Sequence, residues 1–82
     1  MKRVILLKRA ATALRKRRNV APRLRDKIAA CAADPASLAN SVTELRGSSL
    51  KRLRVGDFRI LFEETATEII VSRIGPRGSI YE

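Results

Sequence analysis

The chain has 82 residues, and its 18 Lys and Arg against 8 Asp and Glu leave a net charge of +10. That length makes one small domain, residues 1–82, near the lower limit at which a core alone sustains a fold. A single Cys31 and no histidine exclude an intrachain disulfide and leave no recognisable zinc constellation, so neither a metal nor a cofactor is expected.

The N-terminal segment opens with a basic pair, and its apolar run is only Val4 to Leu7 before Lys8 and Arg9. A secretory core needs roughly 7–15 apolar residues, and a membrane span about 20. The expectation is therefore a cytoplasmic protein with no membrane partner. The positive charge suits a polyanion instead, because neutralising phosphates releases their counterions.

Residues 3–7 supply a first strand. From residue 8 to 34 the chain is rich in Ala, Arg, Lys and Leu, which are good helix formers, with a break near Asn19 and Pro22. Leu7, Ala11 and Leu14 repeat at helical spacing before the break; Leu24, Ile28 and Cys31 or Ala32 do so after it. Asn19 can cap the second helix, Pro22 fits its first turn, and Asp34-Pro35 ends it, because a residue before proline avoids helical backbone. Residues 37–49 read as irregular. The period then changes to two. Leu53 and Val55 alternate with Arg52 and Arg54, Gly56-Asp57 forms a type II′ turn, and Phe58, Ile60 and Phe62 alternate with Arg59, Leu61 and Glu63. A polar break at residues 64–67 precedes a last β-branched run, residues 68–74. The sum is an α+β fold in the order β-α-α-β-β-β, a helical hairpin packed on a small, mostly antiparallel sheet.

A two-residue turn sets the register: Val55 opposes Phe58, Arg54 opposes Arg59, and Leu53 opposes Ile60. One face collects Leu53, Val55, Phe58, Ile60 and Phe62 as core. The other collects Arg52, Arg54 and Arg59. Like charges directly opposed across strands are destabilising, so this pairing points to an anionic ligand rather than to stability. The bland alternative is that these arginines splay into solvent or pair with Glu63 and Glu68. Arg77 follows the last strand, and Tyr81 can fold back toward the sheet.

The run Lys51-Arg52-Leu53-Arg54-Val55-Gly56-Asp57-Phe58-Arg59-Ile60 resembles the strand-turn-strand signature of RelE/ParE-family toxins. Arg73-Ile74-Gly75-Pro76-Arg77 followed by Ile80-Tyr81 resembles the closing motif of that family, and the link from Ala33-Asp34-Pro35 to Leu45-Arg46-Gly47 is similar too. The resemblance implies the toxin of a type II toxin–antitoxin system, a metal-independent mRNA interferase that cuts mRNA on the ribosome and inhibits translation. Residue by residue, it implies that Arg59, Arg77 and Tyr81 are catalytic. Arg52, Arg54, Arg46 and Lys51 would bind RNA phosphates. It also implies a cognate antitoxin, with operator DNA bound only through that antitoxin.

Cleavage beside a ribose 2′-hydroxyl requires activation of that hydroxyl, stabilisation of a phosphorane and protonation of a leaving oxygen. Ribonucleases often use histidines for this, and the chain has none. Positioning and cationic electrostatics are what it offers. Arg59 and Arg77 suit a phosphate clamp, since guanidinium donates two parallel hydrogen bonds. Phe58 and Phe62 read as core, so base stacking rests on Tyr81. Two other functions fit the charge: a non-catalytic inhibitor of DNA gyrase from the same superfamily, and a plain basic nucleic-acid-binding module.

Overall fold

A computed structural model describes residues 1–78. Strand β1 (Arg3–Leu6) leads into helices α1 (Lys8–Lys16) and α2 (Ala21–Ala33). A 3-10 segment (Pro35–Ser41) follows, and then strands β2 (Val42–Glu44), β3 (Leu50–Val55), β4 (Phe58–Glu64) and β5 (Glu68–Pro76). The five strands form one sheet in the order β1-β5-β4-β3-β2. Neighbours are antiparallel except β1 and β5, which pair in parallel from Arg3 with Glu68 to Leu6 with Val71. The α+β architecture is thus the expected one, with one strand more.

That strand is β2. Residues 37–49 hold the end of the 3-10 segment, three residues of strand and a tight link to β3. Three residues are too few to carry a period of two, and β2 owes its strand geometry to β3, where Val42, Thr43 and Glu44 pair with Leu53, Arg52 and Lys51. The Leu45 amide donates to the Leu50 carbonyl at 3.1 Å, and Gly47 takes a φ of 69° to close the link.

The helical hairpin covers one face of the sheet. Ala10 and Leu14 of α1 and Leu24, Ile28, Cys31 and Ala32 of α2 are buried against Leu53, Val55, Ile60, Phe62, Ile69, Val71 and Ile74. The stripe of α1 differs from the expected one. Leu7 is 45 % exposed because it precedes the helix in extended backbone, so the buried positions are Ala10 and Leu14. In α2 both Cys31 and Ala32 are buried, and burial followed by the Glu64 carboxylate pushes the Cys31 thiol up, away from its reactive form. Asn19 does not cap α2. Its N-cap is Val20 without a side-chain bond, since the chain turns through Val20 and Ala21 amides that both donate to the Arg17 carbonyl. Pro22 does lie in the first turn.

The β3–β4 hairpin has the expected register, with Val55 opposite Phe58, Arg54 opposite Arg59 and Leu53 opposite Ile60. Gly56 has a φ of 58° and Asp57 a negative one, the signs a type II′ turn requires. Between β4 and β5 the register shifts at Leu61 and Phe62, where Ser72 is the extra residue and its hydroxyl donates to the Leu61 carbonyl. This bulge keeps Ile69 and Val71 on the core face on one side of it and Ile74 on the other. No helix is long and apolar enough to cross a membrane.

Candidate functional site

The sheet face turned away from the helices carries the arginines. Its ladder rows follow from the strand pairings: Thr43, Arg52, Leu61 and Arg73 form one row across β2, β3, β4 and β5. Arg54, Arg59 and Gly75 form the next. Leu61 is only 6 % exposed although it lies on this outer face, flanked in its row by the long arginines Arg52 and Arg73. Gly75 places no side chain beside Arg59.

Arg59 is the centre of the group. Its Nη1 donates to the carbonyls of Gly56 and Phe58, both at 2.9 Å, so the guanidinium is folded back over its own turn. That fixes the group and leaves the Nε and Nη2 edge, a two-donor fork, for a ligand. Desolvation holds the Arg59 pKa below its usual value, and the nearby charges of Arg77, Arg52 and Arg54 add to the effect. Asp57 opposes it more weakly. All three arginines therefore sit close enough to Arg59 for their charges to be felt.

Arg77 reaches this place through the backbone. Its amide donates to the Asp57 carbonyl at 2.7 Å, which ties the chain leaving β5 to the β3–β4 turn. Arg54 and Arg77 are exposed and Arg52 and Arg59 half-buried. Among the described residues, no carboxylate lies within ion-pairing distance of Arg54, Arg59 or Arg77. The expected alternative partners are engaged or placed elsewhere: Glu68 pairs with Arg3 at 2.6 Å, and Glu63 lies opposite Leu50.

Two other candidates lie apart from this cluster. Lys51 pairs with Phe62, so its side chain is on the helix face, where Nζ meets Glu64 at 2.9 Å. The same carboxylate meets Lys2 at 2.8 Å, and these two hydrogen bonds hold the Glu64 pKa below the usual range. Lys51 is shifted up by the same contact. Arg46 is exposed in the β2–β3 link, at the opposite end of β3 from the Gly56-Asp57 turn. Tyr81 lies outside the described residues.

Several residues near the arginines were not apparent from the sequence. Asn40, Ser41 and Thr43 line a small recess with Arg52, Arg54 and Arg59. They come from the segment with no readable period, and only the pairing of β2 with β3 brings them here. Arg73 has the same origin, since the bulge decides which face it occupies. On the helix side of the turn, the Arg17 guanidinium lies 5.2 Å from the centre of the Phe58 ring. A Cβ on Gly56 would meet the Arg23 Nη2 at 2.7 Å, so Arg23 also reaches this end of the molecule. Among the described residues, no cluster of His, Cys, Asp or Glu could hold a metal ion.

Comparison with known proteins identifies the family and the fold. Residues 4–81 match the family model described as the ParE toxin of the type II toxin–antitoxin system parDE. No curated protein sequence matches. Among solved structures, the chain is similar to the archaeal RelE–RelB complex of Pyrococcus horikoshii, with a TM-score of 0.77 and 24% identity over 95% of this chain and 97% of that one. It is also similar to the toxin–antitoxin complex RelBE2 of Mycobacterium tuberculosis, with a TM-score of 0.65 and 20% identity over 93% and 98% of the two chains. The RelB–RelE antitoxin–toxin complex of Methanococcus jannaschii gives a TM-score of 0.62 and 25% identity over 94% of each chain. Matched along nearly its whole length by the family model and sharing the RelE fold, the chain belongs to the ParE toxin family of type II toxin–antitoxin systems, within the RelE/ParE superfamily.

Proposed function

We propose that this toxin is a ribosome-dependent endoribonuclease that cuts mRNA in the cytoplasm and so inhibits translation. The observation that supports it most is the position of Arg59, tethered at Nη1 and surrounded by the charges of Arg77, Arg52 and Arg54. A folded chain gains nothing from such crowding, whereas a phosphorane with two negative charges would attract each of these guanidinium groups and offset their mutual repulsion. In this reading Arg59 and Arg77 grip the scissile phosphate and stabilise the charge that develops on it. Arg52 and Arg54 hold the flanking phosphates. The ribosome supplies the alignment of the 2′-hydroxyl, which lets so spare a site work. Arginine stays protonated, so the proton on the 2′-hydroxyl goes to another acceptor, and Tyr81 is the chain's own candidate for handling a proton or stacking on a base.

The solved complexes that resemble this chain each pair a RelE-type toxin with an antitoxin. A cognate antitoxin is accordingly the expected protein partner, and its cover over the basic face would silence the toxin. Contact with operator DNA would come through that antitoxin.

A second reading is favoured by the family match itself, which is to the ParE toxin. There the same toxin would inhibit DNA gyrase by binding and would cut nothing. Brief induction followed by mapping of mRNA 5′ ends, beside a supercoiling assay, separates the two. The endonuclease reading expects cuts inside translated codons that vanish with Arg77→Ala. Intact mRNA with inhibited supercoiling would establish the gyrase reading in its place.

A further inference from the structure

The recess beside the arginines has two unlike walls. Arg52, Arg54 and Arg59 form one, and Asn40, Ser41 and Thr43 form the other. The arginine wall offers only donors. It can hold phosphate, or the carbonyl and ring-nitrogen acceptors of a base, but it cannot receive a hydrogen bond from an exocyclic amine. The acceptors in this recess are the side-chain oxygens of the opposite wall. Asn40 adds two donors to its acceptor, and Thr43 a hydroxyl that both donates and accepts. Both residues are exposed, and neither side chain is hydrogen-bonded within the described chain. Sheet pairing holds Thr43 beside the clamp as the ladder partner of Arg52, and Asn40 lines the same recess. Neutral amide and hydroxyl groups add little to phosphate binding in the presence of three guanidinium groups. What they add is discrimination, since single-stranded bases are read by hydrogen bonds to their edges.

We propose that Asn40, with Thr43 beside it, reads the edge of the nucleobase adjoining the phosphate held by Arg59 and so sets the sequence preference of cleavage. This rests on the endonuclease reading above and assigns a base-recognition wall to the same site. Asn40 pairs donor and acceptor with an edge that presents both, and it is therefore the group that orients the base. Thr43 supplies a single further bond.

The test is mapping of mRNA 5′ ends after brief induction of the full chain, with Asn40→Ala, Asn40→Asp and Thr43→Val beside the parent. Asn40→Ala should lower total cutting about fivefold, the effect of one hydrogen bond, and flatten the base distribution next to the cut. Asn40→Asp accepts but does not donate. It should enrich cuts beside guanine, whose N1–H and exocyclic amine both donate, enrich less those beside adenine and cytosine, and deplete cuts beside uracil, which has no exocyclic amine. Thr43→Val keeps a β-branched shape and should flatten the distribution in the same direction, by less. Circular dichroism of each variant checks that the fold is retained. A parent that cuts while its Asn40 variants keep the parental base distribution overturns the assignment alone. So does a parent that cuts without any base preference. A parent that leaves mRNA intact overturns the endonuclease reading and this inference with it.

Discussion

Arg54 and Arg59 face each other across antiparallel strands, a pairing that costs stability and that no carboxylate among the described residues relieves. Replacing one of them should therefore separate stability from function. Arg54→Thr keeps strand propensity and removes a like charge, so the midpoint of chemical unfolding should rise by an amount corresponding to about 0.5 kcal/mol. Cleavage by the same variant should fall about tenfold, the weight of one weakened phosphate contact. On the proposed endonuclease reading, Arg59→Ala and Arg77→Ala remove donors from the reacting phosphate itself. Each should lower the cutting rate by roughly a hundredfold or more with little change in unfolding, measured by primer extension and denaturant titration. The arginines of the hairpin were legible as a group because a two-residue turn fixes register by counting. The same count sets Lys51 apart from them, on the core face with Leu53 and Val55, although the resemblance grouped it with the phosphate-binding residues. Its partner across the strands is the core residue Phe62, and the side chain follows the core face to Glu64.

At the scale of elements, two devices hold the arginine-bearing strands. Gly56 occupies left-handed backbone with a φ of 58°, and the Arg23 guanidinium crosses where its side chain would be. Gly56→Ala should cost about 1 kcal/mol, chiefly from backbone conformation, because the Arg23 end group can swing aside. Thermal unfolding reads that loss, and a parallel drop in cutting is expected because Arg59 is tied to the Gly56 carbonyl. The second device is Glu64 at the end of β4, bonded to Lys51 of β3 and to Lys2 just before β1. Its pKa is depressed in the folded chain, so its contribution is complete above the unfolded carboxyl value and fades as pH falls through the folded one. Lys51 is shifted up, so its share persists below the unfolded lysine value and is lost as pH rises through the folded one. The bridge therefore works across neutral pH. Glu64→Gln should lower stability at pH 7 by about 1 kcal/mol, and the gap between parent and variant should close as pH falls well below about 4.3. Unfolding titrations at a series of pH values test this. The helices and the long strands were readable from their periods. The α1 stripe was displaced because Leu7 belongs to the strand exit, and β2 was missed because three residues hold no period.

Across the whole molecule, charge is unevenly distributed. The ion pairs found among described residues, Lys2 and Lys51 with Glu64 and Arg3 with Glu68, lie where β1 and β5 begin and β4 ends. The opposite end, around the Gly56-Asp57 turn, gathers Arg54, Arg59 and Arg77 on one side of the sheet and Arg17 and Arg23 on the other. Such a field favours approach to a polyanion from one end. If three or four phosphates are neutralised there, the logarithm of RNA affinity should fall against the logarithm of salt with a slope of roughly −2 to −3. Electrophoretic or fluorescence titration over a range of salt measures it. Arg77→Ala should reduce the slope by roughly 0.7, whereas Arg46→Ala, at the other end of β3, should leave it unaltered.

By itself the sequence determined the α+β architecture, the hairpin register and the basic outer face, because each follows from local periodicity, turn chemistry or charge. Only the tertiary structure decided which cations act together. Lys51 belongs to a stabilising bridge, because Glu64 meets both it and Lys2 there, and Arg46 lies in a link at the far end of β3 from the arginine cluster. The fold also brought Arg77 to Arg59 through a backbone hydrogen bond between segments 20 residues apart, at Asp57 and Arg77. It set Asn40 and Thr43 beside the same arginines by pairing β2 with β3. These are contacts between distant segments, made by sheet pairing, and no local pattern encodes them.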